Sequence, residues 1–211
     1  MDIRWFESLG STQRYLLDAL KEGSLSAPVC VGTDMQTMGR GSRGNGWIGE
    51  KGNLFISIAI ERSILPIDLK LESTSIYLAF LMKELLKMHG SKVWLKWPND
   101  FYLGDKKIGG VITNLIAETL VCGIGINLVS APENFGKIDL KINAFDITED
   151  YCGLFKNLPS WKQIFSKYEI EFENSKVFFT HNYNEKVALH IAVLLEDGSL
   201  ECDGQRMFSL R

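Results

Sequence analysis

The segment Gln36-Thr37-Met38-Gly39-Arg40-Gly41-Ser42-Arg43-Gly44-Asn45-Gly46-Trp47 gathers the residue types that an anion needs. Glycines let backbone amides approach a phosphate closely, Arg40 and Arg43 offer guanidinium forks, and Trp47 supplies a flat surface for a ring or base. An anion-binding loop is the natural reading, with a solvated surface loop as the alternative. In Lys96-Trp97-Pro98-Asn99-Asp100, a lysine and a carboxylate stand where Pro98 ends an apolar strand. They could hold a metal or phosphate, or form a plain Asn-Asp turn.

Lys106-Lys107-Ile108-Gly109-Gly110 adds point charges beside two glycines, which suits a developing oxyanion or a transferred phosphoryl group, although rim lysines are commonly only solvated. Glycines inside the strand Gly123-Ile124-Gly125-Ile126-Asn127 mark close approach by a ligand or another backbone. Asn127 is a neutral oxygen donor of the kind Mg²⁺ accepts, or else a satisfied residue at a bulge. His89, His181 and His190 stand apart from any matching acid or nucleophile, so structural or surface roles are expected for them.

These groups need elements to position them. A short strand near the N-terminus leads to a helix capped at Ser11-Thr12, carrying Tyr15, Leu16, Ala19 and Leu20 and stopping near Gly23. Residues 28–33 read as a buried strand, and the six glycines at 39–52 read as a loop that interrupts all periodicity. Residues 53–60 alternate as a strand inside a sheet, and 70–88 form the longest helix, stopped by Gly90. Further strands are expected at 92–97, at 107–115 after a Gly104-Asp105 turn, and at 120–127. Residues 130–150 read as one long mobile loop, 160–172 as an amphipathic helix, and 176–180, 187–195 and 200–210 as strands, with a hairpin turn at Glu196-Asp197-Gly198. The expected fold is α+β with a mixed sheet. It comprises residues 1–171 as the main domain and 172–211 as a small β appendage, too small to be stable alone.

Composition bounds the function. A chain of 211 residues with 45% hydrophobic and 23% charged residues is an ordinary globular protein. Its net charge of −3 gives no general electrostatic reason to bind nucleic acid or an anionic membrane. Cys30, Cys122, Cys152 and Cys202 are scattered with no Cys-x-x-Cys pair, so reduced, buried thiols are expected rather than zinc. The N-terminus has no secretory h-region and no window is apolar enough to span a membrane, so a cytoplasmic location is expected.

Taken in order, Ser11-Thr12-Gln13, the Gly39-Arg40-Gly41 loop ending at Trp47, Lys96 to Asp100, Lys107 with Gly110, and Gly123 to Asn127 resemble the biotin protein ligase family. The resemblance covers nearly the whole chain and is strongest over residues 8–128. It implies a catalytic domain related to class II aminoacyl-tRNA synthetases, with a small SH3-like β domain at the C-terminus. It also implies a monofunctional form without the DNA-binding domain that some members carry, because the motifs begin by residue 11. The implied activity uses ATP and Mg²⁺ to make biotinyl-AMP, then biotinylates a lysine of a biotin carboxyl carrier protein, as a monomer or homodimer.

By motif, Ser11, Thr12, Gln13, Gln36, Gly39, Arg40, Gly41, Lys107, Gly110 and Gly125 are the implied biotin contacts. Arg40, Arg43, Trp47, Asn99, Asp100, Lys107 and Asn127 are the implied ATP contacts. Lys107 and Arg40 are the groups expected to act in the reaction, Mg²⁺ is expected near Asp100 or Asn127, and Phe135 or Phe145 is expected to stack on adenine. The family loop usually reads Gly-Arg-Gly-Arg-x-x-Arg, whereas Ser42 and Asn45 stand at the later two arginine positions. Arg43, one residue displaced, is expected to supply part of the missing charge. A lipoate ligase or octanoyltransferase and a silent biotin- or nucleotide-binding module are the competing readings.

Overall fold

The computed structural model describes residues 1–41, 46–182 and 185–209. Strand β1 (Asp2–Phe6) runs parallel to β2 (Val29–Thr33), and helix α1 (Thr12–Lys21) is the crossover between them. β5 (Leu54–Glu61), β9 (Thr119–Ile126), β8 (Lys106–Ile116), β7 (Asp100–Leu103) and β6 (Trp94–Lys96) complete a sheet of order β1-β2-β5-β9-β8-β7-β6. Every pairing after the first is antiparallel, so the sheet is mixed, as the element order predicts.

Strand alternation divides the chemistry between the two faces. Ile56, Ile58 and Ile60 of β5 join the main core with α2 (Thr74–Met88), α3 (Ala144–Leu154) and α4 (Trp161–Phe172). On the other face Leu16 of α1 packs on Val29, Val31, Ala59 and Val121. Fully burying Leu16 contributes about 2 kcal/mol toward holding α1 there. Cross-strand register then arranges rows on the α1 side: Asp100, Gly110 and Gly125 in one, and Ile112, Gly123 and Ser57 in the next. The glycines leave the surface hollow between α1 and the sheet.

Both helix stops hold as expected, with Gly23 (φ +72) ending α1 and Gly90 (φ +97) ending α2. Four expectations are corrected. The stretch 39–52 is not all loop, because β3 (Gln36–Arg40) and β4 (Gly46–Gly49) pair antiparallel within it. A Cβ at Gly39 would stand 2.6 Å from Trp47 O and one at Gly49 would stand 2.4 Å from Gln36 O. These glycines therefore permit backbone approach inside a hairpin, which reads in sequence as looseness. Second, β7 adds a strand at residues 100–103, where none was expected, while the expected turn at Gly104 (φ +58) holds, between β7 and β8.

Third, residues 130–150 are not one loop. Asn143 caps α3 by accepting from Phe145 N (2.7 Å) and Asp146 N (3.3 Å), and Ile147 and Tyr151 bury one helical face. Fourth, the tail is more broken than expected. A 3₁₀ turn at Glu173–Val177 precedes β10 (Phe179–Asn182), which pairs with β11 (Glu185–Ala188). A second 3₁₀ turn, Leu189–Ile191, buries Leu189 and separates β11 from β12 (Val193–Leu194). The turn at Asp203 and Gly204, both with positive φ, divides β13 (Leu200–Cys202) from β14 (Gln205–Met207).

The tail packs against the main sheet through specific bonds. Trp97 Nε1 donates to Gly198 O (2.9 Å), Trp161 Nε1 to Glu196 O (2.8 Å), and Ser73 Oγ to Asp197 O. Leu189, Leu200 and Met207 share the core of the main sheet. All four cysteines are free and buried. Among the described residues no helix is long and apolar enough to cross a membrane.

Candidate active site

The first turn of α1 builds one wall of the site. Ser11 is the N-cap, accepting from Arg14 N at 3.4 Å. Thr12 donates to Gln36 Oε1 twice, from its backbone N (2.9 Å) and from Oγ1 (3.1 Å), and Ser57 Oγ donates to Thr12 Oγ1 (3.0 Å). This relay occupies Gln36 Oε1 and thereby fixes the side-chain amide with its N–H₂ as the remaining polar group. Gln13 Nε2 donates to Asn114 Oδ1 (3.1 Å) and Val121 O (3.2 Å).

A cavity of about 210 Å³ lies between that wall, the glycine rows and β4. Two buried polar atoms in its lining residues have no hydrogen-bond partner among the described residues: Gln13 Oε1, an acceptor, and Trp47 Nε1, a donor. Leaving such atoms unpaired costs about 1–3 kcal/mol each, so both are poised for a polar ligand. Gly123 and Gly125 give these side chains their room. A Cβ at Gly123 would stand 2.6 Å from Gln13 Oε1, and one at Gly125 would stand 3.2 Å from the Trp47 ring. Phe135 meets Trp47 edge to face, with centroids 6.5 Å apart, and lines the same cavity.

A second, open cavity of about 780 Å³ adjoins the first, and Gln13, Gly41, Asp100, Lys107 and Ile112 line both. At this seam Lys107 Nζ lies 2.6 Å from Asp100 Oδ1, and Lys96 Nζ lies 4.0 Å from Asp100 Oδ2. Two ammonium groups thus face one carboxylate. Tyr102, whose ring lies 5.6 Å from Lys96 Nζ, has its phenol pushed up to about 12 by burial and by the negative charge of Asp100, so it stays protonated at neutral pH. The seam can neutralise an anion, and the small cavity can hold a compact polar ring.

The model of the biotin/lipoate A/B protein ligase family matches residues 5–128, more than half of the chain, including both cavity walls contributed by α1 and the sheet. The chain belongs to the biotin/lipoate A/B protein ligase family. Its structure is similar to that of the biotin acetyl coenzyme A carboxylase synthetase of Helicobacter pylori with bound biotinylated ATP. Identity is 43%, the TM-score is 0.93, and 98% of this chain and 99% of that one are covered. The biotin protein ligase of Aquifex aeolicus, with a TM-score of 0.76 over 100% of this chain and 96% of its own, shares the fold at 23% identity. The bifunctional ligase/repressor BirA of Escherichia coli is 35% identical over 127 residues, which is 57% of this chain and 38% of that protein. The chain spans about two fifths of the length of the curated relatives it matches first.

Within this ligase-family fold, Ser11, Thr12, Gln13 and Gln36 line the small cavity, as do Gly41, Trp47, Asp100, Lys107, Gly110 and Gly125. Asn99 lines the large cavity, but its amide is engaged with Val111 O at 2.5 Å. Gly39 and Asn127 line neither. Gly39 serves the β3–β4 hairpin, and Asn127 ties down the loop after β9, donating from Nδ2 to Gly136 O (2.9 Å) and from N to Ile108 O (2.8 Å). Asn127 Oδ1 is buried without a hydrogen-bond partner among the described residues. Arg43, with Ser42 and Asn45, lies outside the described residues, and so does the side chain of Arg40, whose backbone ends β3.

Sequence reasoning missed Ser57 and Ile112 in the small cavity, although a lone serine in the apolar strand β5 was a usable signal. It also missed the whole contribution of the tail, residues 178–181 and Ser209, to the large cavity. One histidine expectation needs correction. His89 does have an acid partner, with Nε2 3.1 Å from Asp150 Oδ2 on the surface, and His181 lines the large cavity. Of the two aromatic candidates, Phe145 packs on Trp5 with centroids 5.3 Å apart, while Phe135 faces the cavity.

Proposed function

We propose that this chain couples biotin to ATP, forming biotinyl-5′-AMP and pyrophosphate, and then transfers the biotinyl group to a lysine of a biotin carboxyl carrier protein. The observation that carries this reading is the seam, where Lys107 stands in the walls of both cavities beside Asp100 and Lys96. The similarity to the Helicobacter pylori synthetase, which holds biotinylated ATP, supports the same pair of ligands here.

Biotin's fused ring sits in the small cavity, where Gln13 Oε1 accepts a ureido N–H and the Gln36 amide donates to the ureido carbonyl. Its carboxylate reaches the seam and attacks the α-phosphorus of ATP; the bond to the bridging oxygen of pyrophosphate breaks, and pyrophosphate leaves. In the second step the acceptor amine attacks the acyl carbon, AMP departs with the anhydride oxygen, and the amine gives up its proton to water. Neither step needs a protein nucleophile. The enzyme's work is alignment and charge neutralisation, and Lys107 exchanges Asp100 for the phosphate oxygens as the nucleotide enters. Arg40 and Arg43 add charge from the glycine loop, and Trp47 and Phe135, which line the small cavity, close over the fused ring of biotin.

Magnesium belongs to the ATP substrate in this reading. Among the described residues no three His, Cys, Asp or Glu groups cluster, and both oxygens of Asp100 face lysines, which fits a magnesium ion that arrives with the nucleotide. Residues 1–171 act as the catalytic unit, and 172–211 as a small β unit that walls the large cavity. Consumption of ATP and four free cysteines suit the cytoplasm.

Calorimetric titration with biotin, followed by biotin-dependent exchange of labelled pyrophosphate into ATP, tests the proposal. Binding with exchange is expected. Binding without exchange contradicts catalysis, and exchange driven by octanoate or lipoate but not biotin contradicts the substrate.

A further inference from the structure

The large cavity is more than the nucleotide's share of the site, because it extends outward from the seam along the surface of α1. Arg14, Leu17, Asp18 and Lys21 line it at spacings of three and four residues, so they form one stripe of the helix. With a rise of about 1.5 Å per residue, Lys21 stands roughly 12 Å beyond Gln13 at the seam. The floor is β8, through Thr113 and Asn114, and the opposite wall comes from the tail, through residues 178–181. The groove thus has one end at the reacting atoms and the other open to solvent.

Its charge is opposite to that of the chain. Arg14, Lys21, Lys96 and Lys107 line it against Asp18 and Asp100, on a chain with a net charge of −3. Asp100 faces Lys107 and Lys96, and Asp18 is 3.5 Å from Arg14. Lys21 forms no ion pair with any described residue. The lysines at the seam serve the nucleotide, whereas Lys21 lies at the outer end of the stripe, with Arg14 and its partner Asp18 between it and the seam. Across from them Phe179, 49% exposed, forms an apolar lip with Lys186 Nζ 4.1 Å from its ring centroid.

Resting on the function proposed above, we propose that this groove is the docking surface for the acceptor protein. The Arg14–Lys21 face of α1 reads carboxylates that flank the acceptor lysine, and Phe179 receives an apolar side chain beside them. The occupant is a folded protein that presents its lysine on an exposed turn with acidic neighbours. The lysine enters along the groove toward the seam while the acidic flank stays on α1. Such rim charges act mainly on encounter rate and on salt dependence.

The test is an R14E/K21E double variant, with R14Q/K21Q as a milder control, assayed on a purified biotin carboxyl carrier domain. Pyrophosphate exchange with biotin and ATP is expected to stay within about twofold of the parent chain. KM for the carrier domain is expected to rise about tenfold in the charge-reversed variant, with a flatter dependence on salt, and to recover when acidic residues beside the acceptor lysine are changed to lysine. An unchanged KM for the carrier domain overturns the proposal. A raised KM for ATP in the exchange assay also overturns it, by giving the groove to the nucleotide. Absence of exchange in the parent chain overturns the underlying function and this inference with it.

Discussion

Lys107 Nζ lies 2.6 Å from Asp100 Oδ1, and both residues line both cavities. The pair keeps the ammonium placed before any anion arrives, so little reorganisation is needed when phosphate replaces carboxylate. Lys107→Met should lower biotin-dependent pyrophosphate exchange by about 10²–10³-fold in kcat while changing biotin affinity much less. Steady-state exchange kinetics alongside calorimetry separate the two effects. Equal losses in both would mean that Lys107 serves binding rather than the reaction.

Gly123→Ala places a methyl group 2.6 Å from Gln13 Oε1, in the floor of the small cavity. Gln13 must turn away, which breaks its bonds to Asn114 and Val121 O and removes the acceptor offered to the ligand. Biotin affinity should fall about tenfold, equivalent to about 1.4 kcal/mol. Thermal denaturation and calorimetry of the variant check this, and an unchanged affinity would remove Gln13 from the ureido site.

Lys83 is buried, 2.7 Å from Glu171 Oε2 and 2.8 Å from Glu84 Oε1, with its ammonium 3.7 Å from the Phe80 ring centroid. Glu171 also accepts from Leu95 N at 2.6 Å, so one carboxylate joins α4, α2 and the start of β6. Glu171→Ala should cost about 3 kcal/mol by leaving a buried ammonium short of a partner, and Lys83→Met should cost less than half of that. Urea denaturation midpoints of the two variants test the order. The reverse order would show that the pair matters through packing alone.

Asp197 carries the acid sensitivity of the tail. Burial pushes its carboxyl up, but bonds from Ser199 Oγ and N, with Arg206 and Lys70 beside it, outweigh that and hold it below the ordinary carboxylate range. A depressed folded value means that its contribution is complete above the unfolded value of about 3.9 and is lost as pH falls through the folded value. Asp197→Asn should therefore lower stability at pH 7 and flatten the loss below about pH 4. Denaturation curves across that range read the slope directly, and parallel acid limbs for the two proteins would assign the sensitivity elsewhere.

How much of this was legible in the sequence depended on how local each cause was. Ser11 and Gly23 bound α1, and the alternation of β5 appears residue by residue, because caps and pleats are set by neighbours. The motif residues 11–13, 96–100 and 107–110 met at one place because sheet register brings β7, β8 and β9 together. By contrast β7 was hidden by its Asn-Asp start, and α3 by Thr148, Asp150 and Gly153, which weaken a helix that the core then enforces through Ile147 and Tyr151. The Arg14–Lys21 stripe reads in sequence as an ordinary solvated face. It becomes a groove wall only because residues 178–181, far along the chain, pack opposite it.

The central claim is formation of biotinyl-AMP in the two joined cavities. Incubating the protein with biotin and ATP labelled in the α-phosphate, then separating the products, tests it most directly. About one equivalent of labelled biotinyl-AMP retained on the protein is expected, dependent on biotin and formed about 10²–10³-fold more slowly in Lys107→Met. Label confined to ATP in the presence of saturating biotin would contradict it.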